Sequence, residues 1–287
     1  MKAQLLKVSN QPLRSFSVRR DIVSYFFNKY HYHPENELLL IEKGTGTQFV
    51  GDSIQHFEDG DLLFIGSNCP HYLRSDDIYF QGQEDLKASA LVIHFSPELF
   101  GEVFMNLHEN RFVANLMEES KKGIQIHGQT KQQIIGRMKM ILEQENDNQV
   151  LQLFQILNIL SISQEKEFLS SGLLETTTNE KETSRLNLIY NYSVKNFRRK
   201  ITIDEIAEVV NLSPLSFCRY FKSKTRKNYA NFLNEIRVEF ACKLIKENQL
   251  LVTQICYESG FNNFTNFNKA FKKVTQKTPF QFAKEFN

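Results

Sequence analysis

Two hydrophobic periods divide the chain. Up to about residue 96 the apolar positions fall in short runs, several of them alternating. "ELLLIEKG", "TQFVGDSIQHF", "DGDLLFIG", "HYLRS" and "ASALVIHF" are separated by Gly, Asp and Asn at turn spacing. Such strands predict an antiparallel sandwich or barrel. After Ser96-Pro97 the period lengthens to three and four, the repeat of a helix face. "PELFGEVFMNL" and "NRFVANLMEESKKG" begin it. "TKQQIIGRMKMILEQEN" then sets Ile134, Ile135, Met138, Ile141 and Leu142 on one face. "NQVLQLFQILNILSISQ" carries Leu151, Leu153, Phe154, Ile156, Leu157 and Leu160. That is more apolar surface than a solvent-facing helix needs. Self-association is the expectation and internal core the alternative.

Residues 169–184, "LSSGLLETTTNEKETS", are rich in Ser, Thr and Glu without sustained periodicity, and read as a linker. From Arg185 the pattern is helical to the end. The expected fold class is therefore α+β and multidomain. A β-barrel spans 1–100, a helical dimerisation segment 101–168, the linker 169–184 and an all-α domain 185–287.

The C-terminal pattern contains a duplication. In "ITIDEIAEVVNLSPLSFCRYFKSKT", Thr202 and Glu205 have the spacing of a capping box. Ile203, Ile206, Ala207 and Val210 form the inner face of a short helix. Asn211 suits a turn that needs positive φ. Ser213 then caps a second helix with Pro214 at its first position. Phe217 and Phe221 point inward and leave Leu215, Ser216, Cys218, Arg219 and Lys222 on other faces. Two short helices around a tight turn, the second exposing small and basic groups, are a helix-turn-helix plan. The plan recurs in "LLVTQICYESGFNNFTNFNKAFKK". Ile255 and Cys256 repeat Ile206 and Ala207 at an offset of 49, and Phe267 and Phe271 repeat Phe217 and Phe221 at 50. Gly260 replaces Asn211, and Asn263 replaces Ser213. Leu251 stands at the place of Thr202, so no capping box is expected there. Between the copies, "NYANFLNEIRVEFACKLIKEN" predicts a helix of about 21 residues, ~30 Å long against the ~34 Å of a DNA turn.

Charge sharpens this picture. The net charge of +2 conceals a last third, from Arg185, with 18 Lys and Arg against 8 Asp and Glu. The remainder is acidic. A basic module on an acidic body suits a polyanion. Thr265, Asn266, Asn268, Lys269 and Lys272 are the second copy's outward groups. Asn pairs with adenine edges, Arg and Lys with guanine, and outer lysines with phosphates. Arg198-Arg199-Lys200, just before the first motif, is a further candidate for phosphate. No Walker loop, dinucleotide fingerprint or Ser-His-Asp order is present.

Residues 185–287 resemble the AraC/XylS transcription regulators. The residues that carry the resemblance are "IDEIAEVVNLSPLSFCRYFK", "FLNEIRVEFACKLI" and "GFNNFTNFNKAFKKVTQKTPFQF". It implies two helix-turn-helix elements reading about two turns of duplex. The implied base readers are Leu215, Cys218 and Arg219, and Thr265, Asn266, Asn268 and Lys269. Leu215 and Cys218 cannot make bidentate hydrogen bonds, so apolar contact with thymine methyls is what they can offer. The family also implies promoter DNA, RNA polymerase and a second copy of the chain as partners. Its small-molecule effector would be of carbohydrate class.

The barrel region has a second resemblance. "HYHPENELLLIEKG" and "GDLLFIGSNCPH" give His31, His33, Glu37 and Gly44, then Gly60 and His71. This resembles the two cupin motifs. Tyr25 stands where the first motif has Gly, Gly66 and Asn68 replace a Pro and a Gly of the second, and Ser75 its terminal Asn. In metal-binding cupins these four places hold a metal. In the sensor barrels they are strand-end structure or bind a ligand's hydroxyls. The expectation is an effector site at His31, His33, Glu37 and His71 with no cofactor and no catalysis. A metal-dependent cupin enzyme fused to a DNA-binding domain is the alternative, and a constitutive regulator whose barrel only dimerises is the third. His56, His94, His108 and His127 have no partner spacing and are expected to be structural or solvated. The four cysteines form no framework, which suits a reducing compartment. No apolar run approaches the ~20 residues of a membrane span, and the N-terminus lacks a signal peptide's apolar core. The cytoplasm is expected, with no membrane partner.

Overall fold

The alternating runs fold as two facing sheets in the computed structural model. It describes residues 4–5, 16–26, 30–83, 85–143, 148–171 and 180–286, with backbone alone at 4–5 and 180–183. The smaller sheet holds β1 (Gln4–Leu5), β3 (His31–Tyr32), β5 (Gly46–Val50), β6 (Ser53–Phe57) and β8 (His71–Ser75), in the order β1-β3-β8-β5-β6. The larger holds β2 (Phe16–Val23), β4 (Asn36–Lys43), β7 (Leu62–Ile65), β9 (Ala88–Phe95), β10 (Ile124–Ile126) and β11 (Lys166–Phe168). Its order is β11-β10-β7-β4-β9-β2. β1 runs parallel to β3, while β2, β4 and β7 meet antiparallel neighbours.

β4 shows why this region reads as near-continuous apolar sequence. Both of its faces are covered, so Asn36 to Ile41 are all buried. Leu39 and Ile41 point between the sheets, where they meet Leu63, Ile65, Val92, Leu73 and Val50. Leu38 and Leu40 point the other way, into a second core built with Leu62, Phe64, Leu91 and Ile93. Helices close that side: α1 (Glu102–Met105), α2 (Arg111–Ser120), α3 (Gly128–Glu143) and α4 (Gln149–Ile162).

Residues 101–168 are thus not helical throughout. β10 pairs with β7 and β11 pairs with β10, so this segment completes the larger sheet. Three-residue strands carry too little periodicity to be seen beside long helices. Within α4 the internal-core alternative accounts for most of the apolar surface. Leu153, Ile156, Leu157 and Leu160 are fully buried against the sheet and its helices, which leaves Val150, Leu151 and Ile162 exposed.

The chain divides into two compact units, with the main division between Glu180 and Lys181. Most of the expected linker, 172–179, lies outside the described residues. The second unit is α5 (Glu180–Asn196), α6 (Ile203–Val209), α7 (Pro214–Thr225), α8 (Tyr229–Glu247), α9 (Val252–Glu258), α10 (Phe264–Thr275) and α11 (Pro279–Ala283). Among the described residues no helix is long and apolar enough to cross a membrane.

Candidate functional site

Two places concentrate chemistry, one in each unit. In the second unit the helix-turn-helix starts are built as the sequence predicts. Thr202 and Glu205 form a reciprocal capping box on α6. Asn211 takes the left-handed turn at φ 52°, and Ser213 caps α7 through the Ser216 amide. Asn263 caps α10 through the Asn266 amide at 2.8 Å. At α9, Leu251 has no acceptor to offer, but Gln254 still accepts the Leu251 N–H at 2.9 Å, so half of a box survives.

The duplication continues past the recognition helices. α7 and α10 end on Arg226 and Gln276, both left-handed at φ 59° and 60°. Thr225 and Thr275 donate to the carbonyls of Phe221 and Phe271 at 2.8 and 2.9 Å. Lys227 reaches Glu235 and Lys277 reaches Glu285, each at 2.7 Å. Each copy therefore has the same stop and the same strut.

Phe217 and Phe221 stack in one copy and Phe267 and Phe271 meet edge-on in the other, all fully buried. That anchoring fixes what faces out. Leu215, Ser216, Cys218, Arg219 and Lys222 are exposed on α7, and Thr265, Asn266, Lys269 and Lys272 on α10. Asn268 is half-buried. Of the cysteines only Cys218 is exposed. Beside α10 lies a basic cleft of about 360 Å³, walled by Arg237, Asn262, Asn263, Asn266, Lys269 and Lys273. Cations and amide groups around a hollow of this kind suit a phosphate.

The basic run at 198–200 behaves differently from its charge. Arg199 bonds Glu205 and the Tyr192 hydroxyl. The Arg199 bond first, and then a bond that the Tyr192 hydroxyl itself donates to Glu205, hold the Glu205 carboxyl at about 2 against mild desolvation. Arg198 lies over the Phe240 ring at 4.5 Å. Arg237, on α8, ties down the same segment by donating to Phe197 O at 2.8 Å and Arg199 O at 2.9 Å. The run is a braced corner of the fold.

In the first unit, His31, His33, Glu37 and His71 come together between the sheets and are all buried. β3 supplies His31, β8 supplies His71 opposite it, and β4 supplies Glu37. The structure adds His94, which was expected to be structural or solvated. It stands opposite Glu37 in the β4–β9 register and is 2% exposed. Only the pairing of two distant strands reveals it, since neither strand carries the signal alone. One carboxylate oxygen, Glu37 Oε2, is the centre. It lies 3.0 Å from His33 Nε2, 3.1 Å from His71 Nε2 and 3.4 Å from His94 Nε2. Burial pushes the Glu37 pKa up, but the charge of His94 and the three imidazole hydrogen bonds hold it well below the carboxylate range. Burial likewise pushes His33 down, and the bond and charge of Glu37 leave it above its ordinary value. One layer along the interior, Gln48 reaches Gln125 at 3.3 Å, and Gln125 reaches Asp61 at 2.9 Å. Imidazoles, a carboxylate and amides inside an apolar barrel can bind a polar small molecule or a cation.

A β-barrel with a buried polar cage, and a helical unit with paired DNA-reading motifs, define a ligand-responsive transcription regulator. The AraC-like ligand binding domain matches residues 18–160, and a helix-turn-helix domain matches residues 206–285. The chain belongs to the AraC family of DNA-binding transcription regulators. The HTH-type transcriptional regulator YdeC of Bacillus subtilis is 24% identical over 259 residues, covering 88% of this chain and 85% of its own. The HTH-type transcriptional activator RhaS of Escherichia coli is 23% identical over 264 residues, covering 87% and 85%. Among solved structures, ToxT from Vibrio cholerae matches at 14% identity and a TM-score of 0.37, covering 95% of this chain and 98% of that one. The C-terminal domain of AraT from Geobacillus stearothermophilus matches at 25% and 0.34, covering 37% and 86%.

Proposed function

We propose that the chain is a cytoplasmic, non-enzymatic activator of transcription whose effector is a small polar molecule of carbohydrate class. The observation that carries this reading is the repeated helix-turn-helix with its outward Arg, Lys, Asn and Thr side chains. α7 would enter one major groove with Leu215, Ser216, Cys218, Arg219 and Lys222. α10 would enter the next with Thr265, Asn266, Asn268, Lys269 and Lys272. α8, 19 residues long, would set their spacing at about 28 Å. The cleft beside α10 would seat a backbone phosphate. Relatives named as activators support the sign of regulation, and activation implies contact with RNA polymerase at the promoter.

The effector would lie against His31, His33, Glu37, His71 and His94, which offer hydrogen-bond partners to hydroxyl groups. It can act only by binding two arrangements of the regulator with different affinity. The domains would be the barrel with its helices, the linker near 169–184 and the DNA-binding unit from 185. The α3–α4 hairpin would carry a homodimer, supported by the exposed Val150 and Leu151. Leu151→Glu is expected to leave the fold intact and shift the chain to monomer in sedimentation. An unchanged dimer would place the interface elsewhere.

The test of the whole reading is selection from sheared DNA of the source genome by full-length protein. Enriched fragments should share two contacted segments about one turn apart. Binding that shows no enrichment and vanishes at moderate salt, with and without metabolites, would reduce the basic unit to a non-specific binder.

A further inference from the structure

Each helix-turn-helix motif packs on its own part of α8. Tyr229 and Phe232, near the start of that helix, meet Phe221 of the first motif at 5.5 and 5.1 Å between ring centres. Val238, Ala241, Cys242 and Ile245, further along, share a core with Phe267 and Phe271 of the second. Long helices bend, so a second attachment off the helix axis is what fixes one motif against the other.

Arg237, near the midpoint of α8, makes such an attachment. Its Nε donates to Phe197 O at 2.8 Å and its Nη2 to Arg199 O at 2.9 Å. Both carbonyls lie in the corner between α5 and α6, and the Arg199 side chain ties that corner to Glu205 in the first turn of α6. Arg237 also lies 5.6 Å from the centre of the Phe261 ring. Phe261 stands in the turn before α10 and packs on Phe267 at 5.3 Å. One half-buried side chain therefore touches the backbone that leads into the first motif and the ring that opens the second. Burial lowers its pKa, and the counter-effect comes from Tyr229, not from a carboxylate. Arg237 is thus placed by carbonyls and a ring face. A planar guanidinium can span two carbonyls and still offer a face to an aromatic ring, whereas an ammonium is a point charge on a flexible stem.

We propose that Arg237 is a positioning residue that holds α7 and α10 at a fixed separation and twist, and so sets which spacing of two DNA segments the protein accepts. Its fork does this, not its charge. The neighbouring cleft puts Arg237 beside Asn266 and Lys269 of α10, so a shift of the guanidinium moves the reading face itself.

This role rests on both motifs entering DNA, but the distance between the helices is measured without DNA, so the two readings fail separately. Cys218 on α7 is the exposed cysteine, and the other three are buried. Together with Lys272→Cys on α10 it takes a pair of spin labels in full-length protein, diluted with unlabelled chain. Pulsed electron resonance should give a narrow distance distribution with Arg237 in place and a broader one in Arg237→Gln and Arg237→Lys. The second readout is spacing on the selected DNA site. One inserted base pair turns the second segment by about 35° against the first. It should cost the wild type about 100-fold or more in affinity, because both motifs can no longer engage together. Arg237→Gln and Arg237→Lys should lose about 10-fold or less to the same insertion, while binding to DNA with only the first segment stays within about 2-fold of wild type. Arg237→Lys keeps the charge and the stem, so it decides the matter where Arg237→Gln unfolds. Distances as narrow as the wild type's in Arg237→Lys overturn the proposal. An Arg237→Lys that keeps the full insertion penalty also overturns it, since charge alone would then suffice. A wild type that selects no two-segment site defeats the DNA reading, and the distance distributions still decide the role of Arg237.

Discussion

Replacing Gly260 with alanine should unfold the second helix-turn-helix before anything else in the chain. Gly260 sits at φ +82°, and a Cβ built there would lie 2.5 Å from Phe197 O and 2.8 Å from Arg198 Cα. The obstacle is backbone, and Arg237 holds that backbone in place through the carbonyls of Phe197 and Arg199. Two costs add. The left-handed conformation costs a residue with a Cβ about 1–2 kcal/mol, and overpacking adds about 1–3 kcal/mol. The duplication supplies the control. The first copy uses Asn211 at this turn, and asparagine tolerates left-handed φ, so Gly260→Asn should retain only the packing cost. Asn211→Gly should change stability by less than about 1 kcal/mol. For a domain of this size each kcal/mol lowers the midpoint by about 4–8 °C. Denaturant or thermal unfolding of the three variants should rank them Gly260→Ala, Gly260→Asn, Asn211→Gly in order of damage. Equal, small losses in all three would mean that the 197–199 corner yields. At temperatures where Gly260→Ala leaves the first motif folded, its DNA footprint should shrink to one segment.

That turn shows which parts of the molecule its sequence discloses. Thr202, Glu205, Asn211, Ser213, Pro214 and Asn263 act on amides within a few residues, so their roles can be read locally, and the structure places each at the expected cap or turn. Within 260–282 the structure buries Phe261, Phe267 and Phe271, leaves Phe280 54% exposed, and turns Thr265, Asn266, Lys269 and Lys272 outward. What lay beyond the sequence depends on residues far apart. His94 joins the cage through strand register with a partner 57 positions away. β10 and β11 are three-residue strands that mean nothing until β7 is beside them. Arg199 looks like a free cation until Glu205 and Tyr192 fold around it. Most of the apolar excess of α4 is claimed by the sheet, which leaves only Val150, Leu151 and Ile162 outward. In each case the sequence gives a residue's chemistry correctly and leaves its partner to the tertiary fold.

The two recognition helices differ in how much sequence information they can read, and this sets the last expected result. On α7, Leu215 is 63% exposed and offers only methyl groups, and the Cys218 thiol is a weak donor. Arg219 is the one arginine on α7, and its planar fork matches the two acceptors of guanine. On α10, in the proposed reading, Thr265, Asn266, Asn268 and Lys269 would share the work. Arg219→Ala should therefore remove discrimination at one base pair, worth about 1–3 kcal/mol or about 5–150-fold, and leave affinity for unrelated DNA nearly unchanged. Asn266→Ala or Lys269→Ala should each cost less, because neighbours on the same helix keep part of the contact. Lys272→Ala should behave in a third way. It should weaken binding evenly across sequences and flatten the slope of log K against log salt by about 0.9, as expected for one lost phosphate contact. Titrations of each variant on the selected site and on single-base changes of it, at two salt concentrations, separate these patterns. If Arg219→Ala lowers affinity by the same factor on every sequence, Arg219 is a phosphate contact. The first helix-turn-helix would then read DNA through the methyl groups of Leu215 and the shape of the groove, and specificity would rest on α10.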